Sequence, residues 1–263
     1  MIDLHCHLLP GIDDGPENID GTLALARAAA AAGTRTIVAT PHVDHRWGVV
    51  PSIVAPSAAF VTAALKEAGV ELEVLAGGEI ALSRLIELRE HELDAIRLGD
   101  GPYLLIESPH SAAAGDFHTF VRTLLERGHA IVLAHPERCP GFQRRPERLA
   151  ELVEAGALCS ITSSALAGRF GSTARELALD MLAGGLVHDV ASDSHDALRR
   201  SPELLAGIYA AERDLPGLAA HAHWLTHEAP AAILAGAQLP PRPPLPQRAG
   251  ARGGRRRRRR RLF

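Results

Sequence analysis

The first sixteen residues place the strongest constraint on the fold and function of this chain, because they combine an apolar strand, two histidines and an acidic turn. His5 and His7 are two residues apart, and in an extended strand such residues point to the same side. The glycine- and proline-rich sequence that follows predicts a turn, which carries Asp13 and Asp14. Two imidazoles and a carboxylate are ligands that first-row divalent metals accept. We therefore interpret this segment as part of a metal site and not as a strand with two incidental histidines.

Length and composition favour one large domain in a reducing compartment. The chain has 263 residues, enough to bury a substantial core. No apolar stretch reaches the length of a membrane span, and the amino terminus lacks the basic and apolar regions of a signal peptide. The three cysteines do not suggest a disulfide framework. We therefore predict a cytoplasmic protein without an integral membrane segment.

The carboxyl-terminal part differs in composition from the rest. Residues 242–263 contain ten arginines and no acidic residue, which leaves 18 basic and 31 acidic residues in the rest of the chain, a net charge of −13. The proline-rich stretch over 239–246 predicts extended polyproline structure, and the arginine-rich end predicts disorder. We predict a single domain over residues 1–236 and a disordered tail over 237–263. Polybasic segments are attracted to acidic surfaces, so the tail is a candidate for such contacts.

Short apolar runs alternate with helical segments along the predicted domain. This alternation predicts right-handed crossovers and a parallel sheet, and seven apolar strands are suited to a closed barrel. Several helical segments end at a glycine, the usual signal for a helix end. The predicted strands cover residues 2–6, 36–40, 72–76, 103–107, 130–134, 157–161 and 186–191. The predicted helices cover residues 17–32, 55–68, 82–94, 116–127, 146–155, 173–184, 202–213, 216–224 and 228–236.

Residue types that bind metals recur where these strands end. Chance explains one or two of them, but six of the seven strands carry one. In parallel barrels this edge is where functional sites are built. The candidate ligands are His5, His7, Asp14, His42, Glu79, Glu107, His135, Asp193 and His195. Nine ligands are too many for one ion but fit two or three ions bridged by carboxylates, which would activate a bridging water and bind phosphoryl oxygens. The remaining histidines, His110 among them, are expected on the surface or in the core.

Several short motifs make the chain resemble the polymerase-and-histidinol-phosphatase (PHP) superfamily. The motifs are Asp3-Leu-His5-Cys-His7, Gly11-Ile-Asp13-Asp14-Gly15-Pro16, Thr40-Pro41-His42, Gly78-Glu79, Leu105-Ile106-Glu107, Ala134-His135-Pro136-Glu137-Arg138 and Ser192-Asp193-Ser194-His195. An H-x-H pair alone is common among metallohydrolases, whereas this combination is specific. Within the superfamily, residues 1–236 are most similar to the bacterial protein-tyrosine phosphatases of capsule and exopolysaccharide clusters, the CpsB/YwqE type.

The resemblance implies a fold, a reaction and a set of site residues. The implied fold is a distorted (β/α)7 barrel. The implied reaction is hydrolysis of phosphotyrosine on a bacterial tyrosine kinase that regulates polysaccharide synthesis. The implied cofactor is manganese, with two or three ions, and iron, zinc, cobalt and magnesium are the alternatives. The resemblance assigns phosphate binding to Arg138 and Arg200, and metal ligation to the nine candidate ligands.

The residue types agree with a direct attack on phosphorus. In the hypothesis that these residue types support, a metal-bridging hydroxide would attack in line, while the ions and two guanidiniums would hold the equatorial oxygens. The phenolate leaving group, with an intrinsic pKa of about 10, needs little acid assistance, which either His42 or a metal-bound water can supply. Arg199 and Arg200 can both reach the site, and the spacing along the chain favours Arg200. The predicted catalytic residues are Asp14, His42, Arg138 and Arg200.

Cys139 suggests a second phosphatase chemistry. Cys139 and Arg145 have the C-x5-R spacing of cysteine-based tyrosine phosphatases. The loop of those enzymes cradles phosphate with backbone N–H groups, and Pro140 lacks one. Pro146 also disfavours the helical start that such loops use after the arginine. We interpret the match as accidental.

Two other functions compete with this one. A PHP phosphoesterase acting on a small ester such as histidinol phosphate would use the same metal ligands, so only an assay with both substrates separates the two. A nucleic-acid-binding protein would use the arginine tail, with the barrel as a scaffold. Deleting residues 242–263 would then remove binding and leave turnover unchanged. The metal ligands favour an enzyme.

Overall fold

The computed structural model describes residues 1–111 and 116–248. Its strands are β1 (Ile2–Cys6), β2 (Thr36–Ala39), β3 (His42–Val43), β4 (Glu73–Ala76), β5 (Glu79–Ile80), β6 (Tyr103–Glu107), β7 (Ala130–Ala134), β8 (Leu158–Thr162) and β9 (Asp189–Ala191). Its helices are α1 (Ile19–Ala31), α2 (Pro51–Glu67), α3 (Leu82–Leu85), α4 (Glu90–Asp94), α5 (Phe117–Glu126), α6 (Pro140–Arg144), α7 (Pro146–Glu154), α8 (Ser163–Leu166), α9 (Ser172–Ala183), α10 (Leu204–Ala211) and α11 (Ala229–Ala235). Short 3-10 turns cover Pro136–Arg138 and Leu218–His221, and a π-helical turn covers Trp224–Glu228.

The strands pair in parallel, as predicted. They form two sheets, in the orders β1-β2-β4 and β3-β5-β6-β7-β8-β9. Two predicted strands are interrupted and continue in the second sheet, at Thr40 and Pro41 between β2 and β3, and at Gly77 and Gly78 between β4 and β5. A β-carbon on Gly77 would lie 2.7 Å from Val38, so this close approach requires glycine. With each interrupted pair counted once, the described residues contain the seven predicted strand units.

The first and last strands meet at a short seam. Asp193 N donates to His5 O at 2.9 Å, and His7 N donates to Ser194 O at 2.9 Å. A single parallel bridge joins Cys6 to Ser194, in place of a longer ladder. The predicted distorted (β/α)7 barrel is confirmed, with its distortion at this seam and at the two interrupted strands. The seam brings the ends of β1 and β9 side by side.

Three predicted helices differ from the structure. The helix predicted over 216–224 is a 3-10 turn, Leu218–His221, followed by the π-helical turn Trp224–Glu228. α2 begins at Pro51 and not at residue 55, because proline is tolerated in the first turn, where its missing N–H has no helical partner. The helix predicted over 82–94 is two short helices, α3 and α4. Arg89 N donates to Glu92 Oε2 at 3.0 Å, which starts α4 as a separate helix. No described helix, α2 included, is long and apolar enough to cross a membrane.

The buried apolar side chains form two clusters. In the smaller cluster, Leu4, Leu105 and Val132 of the strands pack with Ile233 of α11. The larger cluster is built largely from leucine, valine, isoleucine and alanine side chains of strands and helices. Burial of this apolar surface stabilises the strands whose carboxyl ends carry the polar side chains.

Residues 237–248 follow the last helix without regular secondary structure and lie against the domain. The Arg242 guanidinium lies over the Trp224 ring, 4.4 Å from its centroid, and Trp224 Nε1 donates to Pro240 O at 3.2 Å. The division into a domain and a disordered tail stays a prediction. The arginine run on which the nucleic-acid alternative depends falls mostly in residues 249–263, which lie outside the described residues.

Buried His188 makes the stability of the fold depend on pH. Cys159 N donates to His188 Nδ1 at 3.0 Å, and burial, together with the charge of Arg242, lowers the pKa of His188 to about 3. In the unfolded chain this pKa is about 6.5, so between the two values only the unfolded state binds the proton, and stability falls as the pH falls. Asparagine keeps an acceptor in place of Nδ1 but does not titrate. We expect the free energy of unfolding, measured with urea, to decrease between pH 7 and pH 5 in the wild-type protein. In His188→Asn this decrease should be smaller by about 2 kcal/mol.

An exposed histidine provides the control for this measurement. His91 lies on the exposed side of α4, so His91→Asn should show the same pH dependence as the wild-type protein. If the wild-type and His188→Asn proteins lose the same free energy of unfolding between the two pH values, the pKa of His188 is not lowered in the fold.

Candidate metal centre

His5 and His7, at the end of β1, face the same interior point, as their spacing predicts. Their Nε2 atoms are 3.2 Å apart. Glu79 Oε2 lies 3.3 and 3.4 Å from these two nitrogens, and Asp193 Oδ1 lies 3.5 Å from each. All four side chains are buried. Imidazole nitrogens and carboxylate oxygens that converge inside a protein form a candidate binding site for a cation.

Asp13 holds His7 in a fixed orientation. Asp13 Oδ2 lies 2.7 Å from His7 Nδ1 and accepts from His42 N at 3.0 Å, while Asp13 Oδ1 accepts from Gly15 N. Burial acts to raise the pKa of Asp13, but the hydrogen bond and charge of His7 outweigh it and lower the pKa overall. An ionised Asp13 keeps the proton on His7 Nδ1 and leaves Nε2 free to bind a metal.

A second group of ligand atoms opens towards solvent. His7, Asp14, His42 and His195 each offer one atom within 4.8 Å of the others. Asp14 Oδ1 is 3.4 Å from His42 Nε2 and 3.1 Å from His195 Nε2. The side chains of Asp14 and His42 are 37% and 17% exposed, in contrast to the buried pair at the end of β1. Asp14 and His42 are therefore the solvent-accessible members of this group.

Glu79 connects the groups of ligand atoms. Its Oε1 atom is 2.7 Å from His135 Nε2, and its Oε2 atom is 2.9 Å from His42 Nδ1. Burial acts to raise the pKa of Glu79, but the neighbouring histidines lower it well below its usual range. Glu107 shares a group of close ligand atoms with Glu79 and His42, and burial and the charge of Glu79 raise the pKa of Glu107 to about 7. Carboxylates shared in this way are suited to bridging adjacent ions.

Two predicted ligands have a strained backbone. Among the described residues, His135 (φ 36°) and Asp193 (φ 51°) are the non-glycine residues with positive φ. Left-handed backbone at such residues costs on the order of 1–3 kcal/mol and persists only where the surroundings hold it. His135 directly follows β7, and Asp193 follows β9 by two residues. The strain therefore lies where both side chains turn into the centre.

The arrangement fits metal ions better than internal hydrogen bonds. Glu79 Oε2 lies within 3.4 Å of three histidine nitrogens, yet it makes no hydrogen bond of acceptable geometry. A buried carboxylate oxygen without a partner is costly unless a cation satisfies it. The structure brings all nine predicted ligands into overlapping groups of close ligand atoms. Their individual roles as ligands remain our prediction.

Two arginines face the centre and share one acceptor. Arg138 Nη1 and Arg200 Nη2 donate to Asp193 Oδ2 at 2.8 and 2.6 Å. Both line a cavity of about 210 Å³ that borders the metal-centre side chains. Arg199 is exposed and is not among the lining residues. Of these two neighbouring arginines, Arg200, which the spacing along the chain favours, is the one that lines the cavity.

His110 also lies at this centre, although the sequence predicts a surface or core residue. Its ring stacks on His135, with centroids 4.9 Å apart, and its Nε2 atom is 3.9 Å from Glu107 Oε1. Burial and the charge of His135 lower the pKa of His110 to about 4, so its ring is neutral near pH 7 and able to bind a metal. Its position three residues after Glu107, just beyond the end of β6, is the signal that could have identified it.

The outer wall of the cavity comes from the loop after β3. Asp44, Arg46 and Trp47 line this wall. The Arg46 guanidinium lies over the Trp47 ring, 4.7 Å from its centroid. The Arg138 guanidinium lies over the Phe170 ring in the same way, at 4.1 Å. The cavity lining thus combines candidate metal ligands and arginines with an indole ring.

Cys139 does not have the surroundings of a nucleophile. Its side chain is buried, unpaired and not among the residues that line the cavity. Burial raises the pKa of the Cys139 thiol, although nearby backbone N–H groups oppose this. Arg145, the other half of the C-x5-R match, is exposed. This agrees with the interpretation of the match as accidental.

Several known proteins are similar to this chain over most of its length. The family model described as capsular polysaccharide synthesis, CpsB/CapC, matches residues 1–234. The tyrosine-protein phosphatase YwqE of Bacillus subtilis (strain 168) is 36% identical over 217 residues, which cover 81% of this chain and 85% of YwqE. The tyrosine-protein phosphatase CpsB of Streptococcus pneumoniae is 30% identical over 227 residues, which cover 81% of this chain and 93% of CpsB.

Solved structures agree with these relatives. One solved structure comes from work on YwqE from Bacillus subtilis and CpsB from Streptococcus pneumoniae, which are described as metal-dependent tyrosine phosphatases. It matches with a TM-score of 0.78 and 34% identity, over 94% of this chain and 100% of its own length. A β-aspartyl dipeptidase from Fervidobacterium islandicum AW-1, with a TM-score of 0.59 and 15% identity over 89% of this chain and 72% of its own, shares the fold alone. The predicted family and the predicted enzyme class, a metal-dependent protein-tyrosine phosphatase, are confirmed. This chain belongs to the CpsB/CapC family of capsular polysaccharide synthesis.

Proposed function

We propose that this protein removes phosphate from phosphotyrosine on a bacterial tyrosine kinase that regulates polysaccharide synthesis. The observation that carries the proposal is the cavity in which the predicted metal ligands and two arginines surround one space. The relatives named above are tyrosine-protein phosphatases. The three free cysteines in the described structure support a cytoplasmic location, since thiols stay reduced there.

The residues of the centre would hold two or three manganese ions. Carboxylate oxygens together with imidazole nitrogens suit manganese, while the iron, zinc, cobalt and magnesium alternatives share parts of this donor set. When bound, such ions polarise the phosphoryl oxygens and lower the pKa of the attacking water. The residues that would hold them are His5, His7, Asp14, His42, Glu79, Glu107, His135, Asp193 and His195. His110 is a further candidate from the geometry.

The two arginines would bind the phosphoryl group. Arg138 and Arg200 each donate one N–H to Asp193 Oδ2. Both guanidiniums line the cavity, and each has further N–H donors. Asp193 thereby holds both guanidiniums beside the ligand atoms of β1. A planar guanidinium binds two phosphoryl oxygens at once and stabilises the charge that develops on them.

The leaving group needs little help from the protein. A tyrosine phenolate has an intrinsic pKa of about 10, so it departs without full protonation. His42 lines the cavity and is partly exposed, and either its side chain or a metal-bound water would give a proton to the phenolate oxygen. The Trp47 ring, at the edge of the same cavity, supplies an apolar face for the tyrosine ring.

An assay with and without manganese tests this function. We expect protein purified without added metal to hydrolyse a phosphotyrosine peptide only after manganese is added, and to lose activity again with a chelator. His5→Ala should be inactive because it removes one of the converging ring nitrogens. Cys139→Ser should retain wild-type turnover, since the thiol is buried away from the cavity.

Three outcomes would contradict the proposal in different ways. Turnover that survives the chelator but is lost in Cys139→Ser would show cysteine chemistry. Faster turnover of histidinol phosphate than of the phosphotyrosine peptide would favour the small-molecule phosphoesterase. If the manganese-loaded protein hydrolyses neither substrate, the chain does not act as the proposed phosphatase.

A further inference from the structure

Exposed apolar side chains lie on segments that neighbour the residues lining the mouth of the cavity. They lie on the segments that follow β3, β5 and β9. Two of them are strongly exposed, Ile86 at 66% and Leu198 at 86%. We call this set the apolar rim, and its members are Val50, Ile53, Ile86 and Leu198.

On one side of the mouth, the apolar rim continues directly from the cavity wall. The start of α2, with its two rim residues, follows Trp47, which lines the cavity. The segment that carries Ile86 contacts the same loop, because Glu87 Oε1 lies 3.2 Å from His45 Nε2. The chain has no charged residue between Arg46 and Lys66, so no charge lies beside the two rim residues at the start of α2.

The loop after β9 brings the fourth rim residue to the mouth. Leu198 N donates to Asp196 Oδ1 at 2.8 Å, which folds the segment into a tight turn. The same turn leads to Arg200, whose guanidinium lines the cavity. Leu198 is therefore held in solvent two residues from a predicted phosphate-binding group.

We propose that the apolar rim binds apolar residues on either side of the phosphotyrosine in a polypeptide substrate, an inference that rests on the proposed function. A small phosphate ester ends within a cavity of about 210 Å³ and leaves the rim in water. A polypeptide continues beyond the mouth on both sides, and its side chains would cover the rim. A second copy of this chain is the other possible occupant, but the continuity of the rim with the cavity favours the substrate.

Two phosphotyrosine peptides provide the probe, one with leucines and one with serines beside the phosphotyrosine. We expect the manganese-loaded protein to hydrolyse the leucine peptide with a kcat/KM roughly tenfold higher than the serine peptide, because the leucines lose contact with water on the rim. The double variant Ile86→Ser and Leu198→Ser should lose most of this preference. Turnover of free phosphotyrosine, measured alongside, reports on the reaction itself.

Phe60→Ser is the matched control. Phe60 is also an exposed apolar side chain of α2, at 58%, but it lies about 10 Å further along the helix than Ile53. We expect this variant to keep the full preference for the leucine peptide. Because all the substituted side chains are exposed, the variants should fold as the wild-type protein does.

The outcomes separate this inference from the proposed function. No preference for the leucine peptide in the wild-type protein, or an equal loss of preference in Phe60→Ser, would overturn the role of the rim. A double variant that keeps the preference but changes from dimer to monomer in light scattering would show that the rim joins two copies, which also overturns it. Absence of turnover on free phosphotyrosine would instead contradict the proposed function.

Discussion

Replacing Glu79 with glutamine should remove metal from the protein and lower kcat/KM for phosphotyrosine roughly a thousandfold or more. Glu79 is fully buried, and its two oxygens lie within 3.4 Å of nitrogens of His5, His7, His42 and His135. Glutamine keeps the size of the side chain but removes its charge and places an N–H₂ group where a metal ligand is needed. The measurement is metal content after dialysis against manganese, together with steady-state kinetics.

Two variants show whether the effect is specific to this carboxylate. Glu154→Gln makes the same chemical change at the exposed end of α7 and should leave both metal content and turnover unchanged. Glu79→Asp keeps the charge but shortens the side chain, so it should retain part of the metal. A Glu79→Gln protein with full metal content and wild-type turnover would show that this residue does not bridge the ions. Urea unfolding of each variant separates lost metal from lost fold.

Replacing Arg200 with alanine should lower kcat/KM for phosphotyrosine roughly a hundred- to a thousandfold, the usual effect of removing one donor to a developing anion. The Arg200 guanidinium lines the cavity and donates to Asp193 Oδ2 at 2.6 Å. Inorganic phosphate should also inhibit the variant more weakly, because it binds the same group. This inhibition constant measures phosphate binding without the chemical step.

Arg199 offers a matched control beside it in the chain. Its side chain is exposed and outside the cavity lining, so Arg199→Ala should change kcat/KM by about twofold or less. Arg200→Lys keeps the charge without the planar fork, and we expect its activity to lie between those of the alanine variant and the wild-type protein. Equal losses in Arg199→Ala and Arg200→Ala would show that only the net charge of the loop matters.

The metal centre could be predicted because its ligands are encoded locally. His5 and His7 share a strand, so their spacing alone places them on one side. The other predicted ligands follow apolar runs that end at a polar residue, and parallel strands bring such ends to one edge. The side chains of His5, His7 and Glu79 meet within 3.4 Å of one another in the structure.

Other parts of the site depend on contacts that no local pattern carries. The spacing from Glu107 makes His110 a candidate, but its place at the centre depends on the stacking of its ring on His135, a residue of another strand end. Trp47 lines the cavity because the loop after β3 turns over it. Each of these features rests on long-range packing.

The sequence by itself determined the order of strands and helices, the family and the chemical types of the ligands. These follow from apolar periodicity, from helix-end glycines and from motifs of a few residues. Only the tertiary structure decided how the barrel meets at the seam between β1 and β9, and that the loop after β3 brings Trp47 to the cavity. The seam joins residues almost two hundred positions apart, and its geometry sets the distance between His5 and Asp193. Local helix and strand propensities do not predict such contacts, because the two segments meet only when the whole core has packed.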